Sequence, residues 1–192
     1  MSNVIMPEEF LIGYIREFQE KREPAWPNGL KDRTEFATKA AQAVMEGKHL
    51  ITSLEYFRID VIGEEKAGDC DCNWLLRVAF EHENPDWHCP DMTWGAPKRR
   101  PTWIQELCKL THVVADLRVL AAYYDANKDD EELTHLLQRN VNRMQEHNRM
   151  TRVPDGKWLF IFGIKPPSDG LFRAFKLGGD NGTTTTELEI PS

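Results

Sequence analysis

Three carboxylates, Asp60, Glu81 and Glu83, lie in apolar segments of the sequence where a solvated surface charge is unexpected. The segments 55–63 and 74–83 alternate as β-strands do, and in that pattern Glu81 and Glu83 point to the same side. If the residues between the segments form a turn, the strands pair as an antiparallel hairpin and Asp60 faces Glu81 across it. Three carboxylates at such range repel one another by several kcal/mol at low effective dielectric unless a cation lies among them. The spacing therefore predicts a divalent-cation site.

The rest of the sequence supplies a sheet and helices to position these residues. Residues 117–124 form a nearly continuous apolar run, which is typical of a strand covered on both faces. A helix capped by Thr102 and Gln105 precedes that run, so residues 74–124 are long enough for a right-handed parallel crossover. Further helices are predicted at 7–22, after an Asp32-x-x-Glu35 capping box, and at 133–150; further strands are predicted at 157–162, at 171–176 as an edge strand, and at 183–190.

The order of these elements resembles the PD-(D/E)XK restriction-endonuclease-like nuclease superfamily. The resemblance rests on Asp60 in an Ile-Asp-Val-Ile strand, on Glu81-His82-Glu83 ending an apolar strand, and on the helix and apolar strand that follow. In that superfamily a strand Asp and a following Asp or Glu, two residues before a Lys, bind magnesium and orient a water for phosphodiester hydrolysis. Asp60 and Glu81 match the metal ligands, while Glu83 stands where the Lys is expected, as in some type II restriction endonucleases.

The resemblance covers about residues 34 to 164 and implies a fold, a cofactor and a substrate. The implied fold is α/β, a mixed central β-sheet flanked by helices with a restriction-endonuclease-like core. Asp60, Glu81 and the backbone carbonyl of His82 would hold Mg, for which Mn can substitute, and Glu83 would orient the water or share a second metal. The side chain of His82 alternates to the opposite face, and Glu35 is the candidate for an auxiliary acid. The implied substrate is double-stranded DNA, and because one site cuts one strand, a homodimer is expected.

A second hypothesis is a catalytically inactive relative that binds DNA or a protein partner. The acidic Glu83 in place of Lys supports it, and so does the net charge of -7, which is the wrong sign for binding nucleic acid through bulk electrostatics. A nuclease would have to localise its basic residues. Two groups are candidates for DNA contacts, although each could also be a solvated surface: the loop Lys98, Arg99 and Arg100, near Trp87 and Trp94, and the helical stripe His135, Arg139, Arg143 and His147.

Composition is that of an ordinary globular protein, with 192 residues of which 41% are hydrophobic. We expect one domain over 1–192, with a helical lead-in at 1–33 and a tail at 178–192. No apolar run is long enough for a membrane span, and cytoplasmic localisation is the default. Structural zinc is not expected, because the pairs Cys70/Cys72 and His88/Cys89 flank opposite ends of a strand about 33 Å long.

Overall fold

The computed structural model of the chain describes residues 4–25, 30–56, 58–67, 74–84, 103–125, 133–148, 157–165, 171–178 and 184–190. Within these ranges it has four helices and seven strands. The elements, in chain order, are α1 (Pro7–Lys21), α2 (Leu30–Glu46), β1 (Ile51–Tyr56), β2 (Ile59–Lys66), β3 (Trp74–Glu83), α3 (Trp103–Thr111), β4 (Leu117–Tyr124), α4 (Leu133–Asn148), β5 (Lys157–Ile164), β6 (Phe172–Gly178) and β7 (Thr184–Leu188).

All seven strands form one mixed sheet in sequential order, β1-β2-β3-β4-β5-β6-β7. The central strands β3, β4 and β5 run parallel, joined through α3 and α4, and the outer pairs are antiparallel. Every residue of β4 is buried, as its apolar run predicts for a strand covered on both faces. The predicted α/β class, with a mixed central sheet flanked by helices, is confirmed.

Two hydrophobic cores lie on opposite faces of this sheet. Helices α1 and α2 pack on one face, against Val61, Phe80 and Val119, and the N-terminal helix is thus an integral part of the core. Helices α3 and α4 pack on the other face, against Ile62 and Leu120. Alternate residues of each strand therefore point into different cores. No helix in the described ranges is long and apolar enough to cross a membrane.

The start of the predicted hairpin differs from expectation. Residues 55–63 were predicted to form one strand, but β1 ends at Tyr56, β2 begins at Ile59, and these two residues pair with each other. Arg58 has a φ of 68°, the left-handed conformation that tight turns between strands require. The alternation of apolar residues runs straight through this turn, so the pattern alone could not locate it.

The register of β3 also shifts once. Gly63 pairs with Val78 and Glu64 pairs with Leu76, so a bulge leaves Arg77 unmatched. Strict alternation predicted Leu76 on the face of Val78, but Leu76 packs in the opposite core. The face predicted for Glu81, beyond the bulge, is not affected.

Two smaller predictions need correction, and two groups of candidate residues lie outside the described residues. Strand β6 is not an edge strand, because β7 pairs with it along its length. Helix α2 begins at Leu30, so Asp32 lies in its first turn rather than at its cap. Cys108 is a free, half-buried thiol. The residues considered for zinc, Cys70, Cys72, His88 and Cys89, lie outside the described ranges, as do Lys98, Arg99 and Arg100.

Gly163 provides a test of the packing between β5 and the segment after α1. A Cβ at this position would lie 2.1 Å from the backbone oxygen of Ala25 and 2.9 Å from the ring of Tyr123. Because backbone cannot move as a flexible side chain can, we expect Gly163→Ala to lower the free energy of unfolding by about 3 kcal/mol or more in urea denaturation. Gly178→Ala is the matched control, since the one contact of its Cβ within the described residues would be with Thr186, at 3.9 Å. Equal stability of the two variants would contradict this packing.

Candidate active site: a buried carboxylate pair beneath helix α3

Asp60 and Glu81 lie opposite each other on neighbouring strands, as the spacing predicts. The antiparallel register pairs Val61 with Phe80 and Ile62 with Ala79, and its next step places Asp60 against Glu81. The Oδ2 atom of Asp60 accepts a hydrogen bond of 2.7 Å from the backbone N–H of His82. This bond fixes the Asp60 carboxylate beside β3 and aims it at the face that carries Glu81.

Helix α3 adds a lysine and a third carboxylate. The ammonium group of Lys109 lies 3.0 Å from Oε1 of Glu81 and forms a second ion pair with Glu106, one turn earlier in the helix. It also donates a hydrogen bond of 3.0 Å to the backbone oxygen of Arg58, in the turn that precedes β2. Lys109 thus joins the helix, the turn and β3.

The sequence of α3 explains why these two residues meet the sheet. Trp103, Leu107 and Leu110 are buried in the core between the helix and the sheet. Glu106 and Lys109 are three residues apart and therefore lie on the same side of the helix, flanking that apolar stripe. The crossover from β3 to β4 carries α3 over the face of Glu81, so this side of α3 approaches the carboxylates.

Glu81 is the most constrained member of this cluster. It has 0% exposure, and within the described residues neither of its carboxylate oxygens has a hydrogen-bond partner of good geometry, although the ammonium group of Lys109 lies 3.0 Å from Oε1. Burial, followed by the charges of Asp60 and Glu106, raises the pKa of Glu81 to about 9 despite the opposing charge of Lys109. The surroundings of Glu81 therefore favour its protonated form, and Lys109 favours its ionised form.

The pKa values of Asp60 and Lys109 are also raised. Burial raises the pKa of Asp60, although the hydrogen bond from His82 and the charge of Lys109 oppose the shift. Burial alone lowers the pKa of Lys109, but the hydrogen bond to Glu106 and the charge of Glu81 outweigh it, so this pKa is raised. The cluster therefore holds its protons more tightly than the same groups would in water.

Glu83 lies one step further along the same face of β3. It pairs with Ala122 as Glu81 pairs with Leu120, and it is half-buried. The carboxylates whose charges raise the pKa of Glu81 are Asp60 and Glu106. The carboxylate that completes the group around Glu81 is therefore Glu106, which was not predicted, and the role of Glu83 stays a prediction.

The side chain of His82 points to the opposite face, as its alternation predicts. It is 7% exposed, and its ring lies 5.4 Å from the ring of Tyr123 in an edge-on arrangement. Burial and the charge of nearby Arg33 lower the pKa of His82 to about 3, so the imidazole is neutral. In the carboxylate cluster, the group observed from His82 is its backbone N–H.

The remaining predicted residues are distributed over the two faces. Glu35 is exposed on α2, on the opposite face from the cluster, and forms an ion pair with Lys39, so the structure does not support it as an auxiliary acid. Arg139 is exposed on α4, on the same side of the sheet as the cluster. Arg143 belongs to α4, but its side chain lies outside the described part.

The described residues contain no group of three or more His, Cys, Asp or Glu side chains already arranged to hold a metal ion. Asp60 and Glu81 nevertheless present hard oxygen donors, the kind that magnesium prefers, and the Glu81 oxygens are buried without a well-aligned donor. Lys109 supplies the positive charge between them. The donor set thus fits a divalent cation that shares or replaces the contact with Lys109.

Comparison with known proteins does not assign the chain to a family: no family model matches it, and no curated protein matches it in sequence. The function must be inferred from the geometry of the cluster.

The raised pKa of Glu81 predicts a pH dependence of stability. Its pKa in the folded state lies above the ordinary value of 4.5 for a glutamate, so protonation of Glu81 favours the folded state, and stability should fall as the pH rises from about 5 to about 9. One such group contributes a slope of at most ~1.4 kcal/mol per pH unit. Glu81→Gln, which mimics the protonated side chain, should flatten this slope in urea denaturation measured across the range.

Glu189→Gln is the control, because it removes an exposed carboxylate outside the cluster. If Glu81→Gln keeps the slope of the unmodified protein, the carboxyl group of Glu81 does not hold its proton in the folded state.

Proposed function

We propose that this chain is a metal-dependent endonuclease that hydrolyses DNA phosphodiester bonds, similar to the restriction-endonuclease-like nucleases. The observation that carries the proposal is the Glu81 carboxyl group, wholly buried between Asp60 and Lys109 with no well-aligned hydrogen bond. A protein that needed only stability would gain from an apolar residue at this point of the core. A strongly shifted pKa with a specific charge partner is typical of functional sites.

In this proposal Asp60 and Glu81 hold magnesium, or manganese in its place. The bound ion supplies Lewis acidity, which polarises the scissile phosphate and lowers the pKa of a coordinated water. The hydrogen bond from His82 keeps Asp60 in place for that role at a distance of 2.7 Å. Glu81 must lose its proton to become a ligand, and Lys109 favours that loss.

Lys109 resolves the difficulty that Glu83 raises. Glu83 stands where the resembling superfamily has a lysine, and a carboxylate cannot neutralise the charge of a phosphate. Lys109 reaches the same carboxylates from α3, with its ammonium group 3.0 Å from Glu81. We assign it the stabilisation of negative charge on the transferring phosphoryl group, a function that fixed cations perform in other phosphoryl-transfer enzymes. Glu83 keeps the proposed role of orienting the attacking water.

The placement of α4 supports DNA as the substrate. Arg139 is exposed on this helix, and α4 lies with α3 on the face that carries Asp60 and Glu81. A duplex lying along that face would meet Arg139 and the partly exposed Lys109 on the same side of the sheet. Because the described part of the chain has one such cluster, cleavage of both strands would require two copies, and a homodimer is part of the proposal.

An inactive relative that binds DNA or a protein is the second candidate. The observation that favours it is the Lys109 ammonium group itself, which already neutralises part of the carboxylate charge through Glu81 and Glu106. In such a protein the cluster would be a buried ion-pair network that holds α3 to β3, and no metal would be needed. Cleavage distinguishes the two candidates.

The lysine variant gives the sharpest test of the nuclease proposal. With millimolar magnesium or manganese, the unmodified protein should cleave plasmid DNA and melt at a higher temperature than without metal, because the ion binds only the folded state. Lys109→Met should reduce cleavage by about 10² or more and keep the metal-dependent rise in Tm. Asp60→Asn should abolish both.

Lys39→Met is the matched control, since Lys39 pairs with a glutamate on the opposite face of the sheet. Metal-induced stabilisation without any cleavage of plasmid, linear or single-stranded DNA would favour the inactive relative. A melting curve that does not respond to millimolar manganese would refute the metal site.

The arginine on α4 tests the DNA-binding surface. If Arg139 contacts a phosphate, Arg139→Ala should weaken DNA binding equally for different sequences. The slope of log Kd against the logarithm of the salt concentration should also fall by about one unit. Arg16→Ala is the control, because Arg16 is exposed on α1, which packs on the other face of the sheet. An unchanged slope in Arg139→Ala, measured by fluorescence anisotropy without metal, would place the DNA elsewhere.

A further inference from the structure

A second group of polar side chains is buried on the face of the sheet that α1 and α2 cover. Its centre is His82, which is only 7% exposed, and within the described part of the chain neither Nδ1 nor Nε2 has a hydrogen-bond partner. A neutral imidazole carries one N–H donor and one acceptor, and leaving both unsatisfied in the interior costs several kcal/mol. An unsatisfied group of this kind is unusual in a folded protein and is a natural place for a bound ligand.

Arg33 supplies a cation next to this imidazole. It is 6% exposed, its guanidinium group lies 5.5 Å from the centre of the Tyr123 ring, and its charge acts on His82. The His82 ring contacts the same Tyr123 ring at 5.4 Å. Arg33 and His82 therefore both contact the ring of Tyr123. The positive charge of the guanidinium group would repel a metal ion bound to the imidazole.

The position of this group in the fold also suits an anion. His82 lies near the carboxyl end of β3, in the parallel part of the sheet, the end at which open α/β sheets bind ligands. The first turns of α2 reach the same end, since the side-chain amide of Asn84 donates a hydrogen bond of 2.7 Å to Oγ1 of Thr34. A helix N-terminus favours negative charge there. The Asp125 carboxylate at the end of β4 is paired with Lys165 at 3.2 Å.

We propose that Arg33 and His82 form a second ligand site, which binds a phosphate group at the carboxyl end of β3, on the opposite face from the Asp60–Glu81 cluster. A guanidinium group binds phosphate through two parallel hydrogen bonds, and the imidazole N–H adds a donor from another direction. A tetrahedral phosphate has further oxygens to accept the imidazole N–H after two of its oxygens bind the guanidinium group. A carboxylate has only two oxygens, and the guanidinium group binds both. The site is independent of the proposed nuclease activity.

The test is a titration of the full chain with inorganic phosphate, without metal. Imidazole nitrogen NMR signals, with those of His82 assigned through His82→Gln, should shift with saturable binding, because the ring gains its first hydrogen-bond partner. Calorimetry should give the same Kd. Arg33→Gln should weaken binding at least about tenfold, as expected for the loss of a charge-assisted pair, and Arg16→Gln should leave it unchanged.

Two further arms identify the source of the phosphate and the specificity of the site. An oligonucleotide with a 5′-phosphate is compared with the same oligonucleotide lacking it, and sodium acetate replaces phosphate to test for a carboxylate. Preference for the phosphorylated strand, or saturable binding of inorganic phosphate, supports the site. If the His82 signals of the unmodified protein do not respond to phosphate or to the phosphorylated strand, or respond equally to acetate, the phosphate site is refuted, whether or not Arg33→Gln folds.

Discussion

The burial of the Glu81 carboxyl group is the constraint on which the arrangement around β3 depends. Glu81 has 0% exposure in the middle of a parallel strand pair, where an uncompensated charge would be prohibitive. The raised pKa of Glu81, which favours its neutral form, and the ammonium group of Lys109 both reduce this cost. Lys109 reaches Glu81 because Trp103, Leu107 and Leu110 hold α3 on that part of the sheet. The hydrophobic packing of α3 and the electrostatics of the cluster therefore stabilise each other, and neither could change alone without cost to the fold.

Consecutive residues of strand β3 place candidate functional side chains on opposite faces of the sheet. Glu81 points to the core beneath α3, while the next side chain, His82, points to the core beneath α2. The backbone N–H of His82 holds Asp60 at 2.7 Å, so the carboxylate cluster includes the main chain of the residue whose ring faces Arg33. A ligand that moved His82 on one face would therefore move a hydrogen-bond donor of the cluster on the other.

The sequence predicted the β-sheet side of this site well because β-strand alternation is local. The placement of Asp60 beside the end of β3 and the opposite orientation of His82 follow from period-two patterns, and the burial of β4 follows from its continuous apolar run. The turn at Arg58 was missed, since its apolar neighbours continue the alternation and left-handed φ leaves no mark in that pattern.

Helix α3 shows what the sequence could not supply. Its amphipathic pattern predicts a helix, but which flank of the apolar stripe meets the sheet depends on the crossover and on the side chains beneath it. Lys109 and Glu106 read in sequence as an ordinary i, i+3 ion pair on a solvated flank, and that pair exists. The additional contact with Glu81, 28 residues earlier in the chain, is a tertiary property that no local spacing encodes.

The charges of the cluster link its protonation to its proposed cation. With every group ionised, Asp60, Glu81 and Glu106 carry three negative charges against the one positive charge of Lys109, an excess of two. The raised pKa of Glu81 shows that a proton removes part of this excess. A divalent cation would remove all of it, and it would compete with that proton for the same oxygens, so binding of the cation must release a proton. If the cluster binds the proposed cation, its arrangement with Lys109 and a protonated Glu81 would be the resting form of that site, and the pKa of Glu81 would set how readily the site accepts the ion.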